Sequence, residues 1–447
     1  MIGEQEARKL CEQVLKRCQG GEAEVMLAVT DSALTRFANN IIHQNVAERD
    51  AEFSLRYFIG KQAGSATTNR TDAAGLDELV ARARANAQAS PPDPDYPGLP
   101  DPAVYTPVLS FDQATAEYTP ENRAKAVGVV CRLAVEKNLN SSGAFSTGVT
   151  ELVIANTRGV FAYHASTQAD FQTVVMSDDS SGRSQGSAWM AGEIPVEALG
   201  RQAIQTAERG HNPRRIEPGE YTVVFEHYVT EDILSMLNFY GMGAQTVLEG
   251  RSWMNDRLGQ QLLSPAISIW DDGLDAQGAP LPFDFEGVPK QHVDIVKDGV
   301  PLGPVYDRYT GSKMGQPSTG HALPPQMRGF GPVAANLFMA PGASSVAEMI
   351  RSTERGIYVN RFWYTRLVHP RDCVITGMTR DGVFLIEDGE LTYPVKNLRF
   401  TQSYVQALAG VEAVGNQTHL LVGEFGGIGT RVPALKLKAF NFTGSTV

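Results

Sequence analysis

TRFANNIIHQNVAERDAEFSLRYFIGKQAGSATTN, residues 35–69, alternates apolar and polar side chains over most of its length. Period two is the spacing of a half-buried β-strand. The stretch also carries a polar series, Arg36, Asn39, Asn40, His43 and Gln44, that a merely solvated strand face does not require. On its N-terminal side AEVMLAVT keeps the same period, and before the Gly20-Gly21 pair EQEARKLCEQVLKR has apolar residues at helical spacing. On its C-terminal side AAGLDELVARARANAQA, residues 73–89, returns to the helical period. The pattern predicts a helix, a strand meander and a second helix.

Eight of the 25 prolines fall between Pro91 and Pro120, a composition that favours extended backbone, so residues 91–120 read as a linker or surface-hugging strap. After it the order recurs: a helix at about 121–137, alternating strands through ELVIANTRGVFAYHASTQADFQTVVM, and a helix near 195–209. A duplicated unit is expected, visible in pattern rather than in residue identity. From Tyr221 the texture becomes strands closed by tight turns, with Asp298-Gly299, Asp381-Gly382 and Asp388-Gly389 each a hairpin signal. Helical patterns appear there only in TEDILSMLNFYGMGAQTVLEG and around SVAEMIRSTER. Strands and helices are segregated, so the expectation is an α+β fold in two domains. Residues 1–215 form the duplicated helix and meander domain, and 216–447 a mixed, strand-rich one.

A chain of 447 residues with 42% hydrophobic content can fill more than one core. Its net charge of −11, with no Lys/Arg run, lacks the basic footprint of phosphate neutralisation, so nucleic acid is not expected as a partner. No apolar stretch has the length of a membrane span and the N-terminus is charged and amphipathic, which predicts a soluble cytoplasmic protein. The four cysteines, Cys11, Cys18, Cys131 and Cys373, are scattered and fit a reducing compartment. Of eight histidines the closest pair is His211 and His227, which rules out a zinc helix carrying two imidazoles on one face.

The local chemistry is sparse. GEFGGIGTRVP, residues 423–433, has the glycines of a phosphate loop, but the following VPALKLKAF alternates like a strand instead of opening a helix, so the glycines read as a strand connection. His369, Asp372 and Cys373 in LVHPRDCVITG place a base, a carboxylate and a thiol together, the elements of a Cys nucleophile, although Pro370 breaks any helix that would stack His369 on Cys373. MSDDSSGRSQGSAW has no Gly-x-Ser-x-Gly elbow and reads as a polar strand and turn. The acidic pairs Asp271-Asp272 and Glu387-Asp388 read as turn residues capping their own backbone.

Taken together with residues 35–69, PGEYTVVFE (218–226), GRSWMNDRLGQQLLSPAISIWDD (250–272), PSTGHALP (317–324), ITGMTRDGVFLIEDGELTYPV (375–395) and VEAVGN (411–416) resemble, in order and spacing, the TldD/PmbA (TldD/TldE) metallopeptidase family. The resemblance spans essentially the whole chain. It implies that catalytic members carry His-Glu-x-x-x-His on the helix after the strand matching YTVVFE, and a Cys ligand in a C-terminal CGxxGxxVP segment. Here the helix register falls on Ser235, Met236, Leu237, Asn238, Phe239 and Tyr240, and FGGIGTRVP puts Phe425 at the Cys. None of these can ligate zinc or activate water. The implied protein is a TldE/PmbA-like chain without metal of its own, paired with a zinc-bearing TldD-like chain or with itself. The implied pair encloses a cavity for unfolded peptides, with Gly426, Gly427 and Gly429 giving close backbone approach to substrate. The alternatives are an independent hydrolase using Cys373 with His369 or a metal site assembled from distant residues, and a homodimeric peptide-binding module.

Overall fold

The computed structural model describes residues 1–422 and 429–445. Its first sheet has six antiparallel strands: β1 (Glu22–Ala38), β2 (Ile41–Ile59), β3 (Gln62–Thr68), β4 (Asn140–Asn156), β5 (Phe161–Met176) and β6 (Ser181–Ala188), in the order β3-β2-β1-β4-β5-β6. Helices Glu4–Arg17 and Ala73–Ala89 flank the first meander in sequence, and Pro120–Glu136 and Val196–Arg209 the second. The two units meet at the central β1–β4 pair. Adding 118 to each residue number turns the pairs Glu22↔Phe58 and Phe53↔Thr68 into Asn140↔Met176 and Phe171↔Gly186, the registers observed in the second unit. The duplication thus extends to register. It also reaches side chains: Phe53 and Phe171 are both fully buried. Gly64 and Gly182 occupy equivalent positions, where a Cβ would stand 2.1 Å from backbone atoms of Ala87 and Ala203 on the closing helices. Glycine is needed there to let helix and sheet approach.

Alternation in the strands sends Val25, Leu27, Phe53 and Leu55 toward helices Glu4–Arg17 and Ala73–Ala89, and Phe145 and Phe171 toward Pro120–Glu136. The opposite face presents Met26, Leu152, Ile154 and Ala162, which pack on Phe283 from the second half. The proline-rich run is a strap. Tyr96 stacks on Phe58 at 4.4 Å, Pro100 O accepts from Asn156 Nδ2, Tyr105 donates to Gly287 O, and Ser110 O accepts from Thr167 N. Pro120 itself opens a helix, with the Thr119 hydroxyl capping it by accepting from Asn122 N.

The second sheet contains β7 (Gly219–Phe225), β8 (Ile269–Asp271), β9 (Val293–Lys297), β10 (Val300–Pro301), β11 (Asn336–Met339), β12 (Arg355–His369), β13 (Val374–Glu387), β14 (Glu390–Pro394), β15 (Leu398–Ser403), β16 (Val411–Val422) and β17 (Gly429–Ser445). Because β17 pairs with both β15 and β7, strands β7, β12, β13, β15 and β17 close into a ring. Phe225, Phe362, Phe400 and Phe440 come from four of its strands and sit with ring centroids 4.3–5.6 Å apart, so they share one interior. Helix His227–Leu237 follows β7 and buries Val229, Ile233, Leu234 and Leu237 in the same core. The fold is α+β, as the segregated pattern predicts.

Two expectations are corrected. Asp298-Gly299 and Asp388-Gly389 are hairpin turns, but Asp381-Gly382 lies inside β13, where the register against β12 slips between Val359 and Arg361. Both residues have positive φ, and the resulting bulge lets Asp381 accept from Ser181 Oγ of the first sheet at 2.6 Å and from Arg361 Nε at 2.6 Å. Asp271 is no turn cap: it ends β8 fully buried, 2.7 Å from His321 Nε2 and 4.0 Å from Lys290 Nζ, with Asn336 N donating to it at 2.6 Å. The halves are further joined where Arg328 bridges Glu24 of β1 to Glu286, with Arg56 of β2 beside both carboxylates.

Candidate functional site

Helix His227–Leu237 continues into a wider π turn, Asn238–Met242, at the place where the resemblance sets the metal motif. Ser235 Oγ donates to Glu231 Oε1 at 2.7 Å, Met236 packs against the core, and the Tyr240 ring stands perpendicular to Phe239 at 5.2 Å. Asn238 is buried, its side chain donating to Ala334 O and accepting from Ala334 N. Trp253 of the GRSWMND stretch closes this end by donating from Nε1 to Leu237 O, and Gly241 makes room for its ring. A hydroxyl engaged by its own helix, a thioether packed against the core and a phenol do not fit a zinc ion. Among the described residues, no group of three or more His, Cys, Asp or Glu side chains is placed to hold a metal.

Phe425, Gly426 and Gly427 lie outside the described residues, but both flanks of their segment are defined. On one flank Val422 O accepts from Gln185 Nε2 at 3.1 Å and Val422 N donates to Ser187 Oγ at 3.2 Å, pinning β16 to β6. On the other, Gly429 N donates to Ala335 O, next to the Ala334 that Asn238 holds. Its close approach is to the protein itself, since a Cβ on Gly429 would stand 2.9 Å from Ala279. The π turn that continues the helix and Gly429, distant in sequence, are therefore joined through the adjacent residues Ala334 and Ala335. At the other end of the helix Glu226, His227 and Tyr358 form a buried chain, with His227 Nδ1 3.1 Å from Glu226 Oε2 and Tyr358 donating to Glu226 Oε1 at 2.9 Å. Burial pushes the Glu226 carboxyl up, but the hydrogen bond and charge of His227, with the Tyr358 hydroxyl, outweigh it and hold the group below the usual range. The His227 ring stacks on His419 of β16 at 4.1 Å, and burial followed by the charge of His227 pushes His419 down to about 4.

Beside the anchored flank is a cavity of about 980 Å³ between the helix-free face of the first sheet and loops of the second half. Its walls include Asp170 of β5, Arg183, Gln185 and Ser187 of β6, Ser110 of the strap, His164, Gln326, and Leu420 and Val422 of β16. Asp170 Oδ2 accepts from Ser187 Oγ at 2.6 Å and from Gln185 Nε2 at 3.0 Å, and burial raises its carboxyl above the ordinary range. His164 Nε2 lies 2.8 Å from Ser110 Oγ, its ring also bonds the Pro280 backbone, and burial pushes it down to about 4. The volume and the mix of apolar wall with a few fixed polar groups suit a binding site.

Neither Ser235, Met236 nor Tyr240 lines this cavity. The pair His369 and Cys373 is not assembled: the His369 ring is exposed and turned toward Asp372 at 3.5 Å, while Cys373 is sealed in the core and burial pushes its thiol up to about 12. A buried, protonated thiol is no nucleophile. Sequence reasoning missed Ser110, His164, Asp170, Arg183, Gln185 and Ser187. Each is an ordinary polar residue at a strap or strand position; the only local signal was the polar density of MSDDSSGRSQGSAW, which contains three of them.

Family models of the PmbA/TldA metallopeptidase match three successive stretches: domain 1 over residues 23–87, the central domain over 112–210 and the C-terminal domain over 218–444. The chain is 23% identical to metalloprotease PmbA of Escherichia coli O157:H7 over 421 residues, covering 90% of this chain and 88% of the relative. It is 26% identical to a metalloprotease of Methanothermobacter thermautotrophicus over 314 residues, 69% and 68% of the two chains. In fold it is similar to TldE from Thermococcus kodakarensis, with a TM-score of 0.89 at 18% identity over 97% of this chain and 100% of that one. With the C-terminal model alone covering more than half of it and the two preceding domains matched in order, this chain belongs to the PmbA/TldD metallopeptidase family.

Proposed function

We propose that this chain is a TldE/PmbA-like, non-catalytic component of a TldD/TldE-type metallopeptidase acting on unfolded peptides in the cytoplasm. The observation that carries this is the helix after β7: at the place where the resemblance sets the metal motif, Ser235 is bonded to its own helix and Met236 packs against the core. The sequence puts Phe425 where a thiolate would complete a ligand set, and the fold is similar to that of a protein called TldE. In this reading zinc belongs to a TldD-like partner chain, and the cavity beside β5 and β6 receives extended peptide, whose main chain pairs with little demand on sequence. Gly429, at the start of β17 beside that cavity, would fix the approach of the neighbouring segment.

The test is co-expression with a TldD-like chain, followed by size exclusion, metal analysis and cleavage of an unfolded casein-like substrate. The expected result is a complex whose zinc follows the partner and whose activity is lost to a chelator, with neither zinc nor cleavage from this chain alone. Chelator-insensitive cleavage by this chain alone, or about one zinc per isolated chain, would overturn the assignment.

A further inference from the structure

β5 lines the cavity from Ser166 to Asp170 and again at Gln172, and strand alternation puts Ser166, Gln168, Asp170 and Gln172 on one face. Asp170 is the carboxylate at the middle of that row. Both hydrogen bonds it accepts from side chains go to Oδ2, from Ser187 and Gln185. Among the described residues Oδ1 has no hydrogen-bond partner and no cation lies within ion-pair distance. The nearest candidate, Arg183, is engaged elsewhere: its Nη2 donates to Gln185 Oε1 at 2.8 Å and Gln172 Oε1 at 3.4 Å, and its guanidinium lies over the Tyr228 ring. A cavity-lining carboxylate oriented by two donors on one oxygen, with Arg183 acting on it only from beyond ion-pair distance, is incompletely compensated and gains from a cation in direct contact. Burial raises the carboxyl, and the hydrogen bonds of Ser187 and Gln185 with the charge of Arg183 offset this only in part.

We propose that the cavity carries a site for a primary ammonium group of a bound peptide, with Asp170 Oδ1 as its acceptor. This rests on the reading of the cavity as a peptide site. With Oδ2 occupied, the carboxylate offers one oxygen rather than two. It therefore matches the compact point charge of an ammonium better than the two-pronged fork of a guanidinium. Ser166 and Gln168, on the same face of β5, supply neutral oxygens for the remaining protons. The source is a free α-amino terminus or a lysine side chain, which share this chemistry.

The test is calorimetric titration of the full-length chain with unstructured peptides of neutral sequence in four forms: free N-terminus, N-acetylated, N-acetylated with one lysine, and N-acetylated with one arginine. The free or lysine-bearing form, the choice identifying the source, is expected to bind about tenfold or more tighter than the acetylated neutral form, with a smaller gain for arginine. Asp170→Asn, which keeps an oxygen for Ser187 and Gln185, erases the preference; Ser187→Ala, which keeps the carboxylate, retains it. Equal affinity for the free, lysine-bearing and acetylated neutral forms, or a preference that survives Asp170→Asn, overturns the ammonium site while leaving the peptide reading standing. No binding of any form overturns both.

Discussion

Replacing His164 by Gln tests whether a neutral, buried imidazole locks the strap to the sheet. Ser110 Oγ lies 2.8 Å from His164 Nε2, and the backbone beside it is tied to β5 through Thr167 N donating to Ser110 O. Burial pushes His164 from 6.5 down to about 4. A base with a depressed folded pKa binds fewer protons folded than unfolded between those values. Its contribution is therefore complete above about pH 6.5 and is lost as pH falls toward 4. Between pH 7 and pH 4.5 the linkage relation for those two pKa values gives a loss of about 2.5 kcal/mol. Glu24 and Asp284, raised by burial to about 7 and about 6, act in the opposite sense over part of this range. The informative quantity is therefore the native-minus-variant difference, in which their contributions cancel. Urea unfolding at the two pH values, with hydrogen exchange at the Thr167 amide as the local probe, is expected to show the acid-dependent loss reduced by about 2.5 kcal/mol in His164→Gln. An unchanged pH dependence in the variant would refute the assignment of a neutral, buried imidazole.

Asp271→Asn leaves the Lys290 ammonium in a dry site without its nearest carboxylate and is expected to cost about 3 kcal/mol in urea unfolding; a loss below about 1 kcal/mol would show the charge relaxing elsewhere. All four thiols are buried, with Cys11, Cys18 and Cys373 pushed up to about 12, so a thiol reagent should label them only on unfolding; fast labelling of Cys373 in the folded chain would revive the hydrolase reading. Gly64→Ala and Gly182→Ala drive a methyl into helix backbone at equivalent places, and each should destabilise by about 1–3 kcal/mol or more; a neutral effect at either would mean the helix yields.

The meanders, their flanking helices and two of three Asp-Gly turns were legible because each is fixed by local spacing. Asp381-Gly382 has the same letters as the true hairpins and differs only in what surrounds it: the buried Arg361 and the hydroxyl of Ser181 on another sheet reward a bulge, and neither is near in sequence. Asp271 read as a turn because another Asp and a Gly follow it, and the ion pair that makes its burial tolerable comes from His321 and Lys290. The repeat was legible in order but not in identity, because Gly64 and Gly182, or Phe53 and Phe171, stand out only after the strand registers supply the offset. The cavity was illegible for the same reason on a larger scale. Its walls come from the strap, the first sheet, the stretches near 280 and 326, and the end of β16, and no one segment carries a motif.

The two described flanks of residues 423–428 are held by groups from elsewhere in the chain. Gln185 and Ser187 hold the Val422 flank, and Ala335, adjacent to the Ala334 held by Asn238, takes the Gly429 amide. None of these groups stands where the resemblance sets a metal ligand, so the contacts at the two flanks do not depend on the side chains of Ser235, Met236 and Tyr240. The same Gln185 and Ser187 orient Asp170. One pair of residues thus couples the carboxylate in the cavity wall to the strand that leads into the segment. A group bound at Asp170 and the end of β16 at Val422 therefore share two hydrogen-bonding side chains. A double-mutant cycle of Asp170→Asn with Ser187→Ala on peptide affinity should return a coupling of about 0.5 kcal/mol or more. Strict additivity would mean that Ser187 does not act on peptide affinity through Asp170.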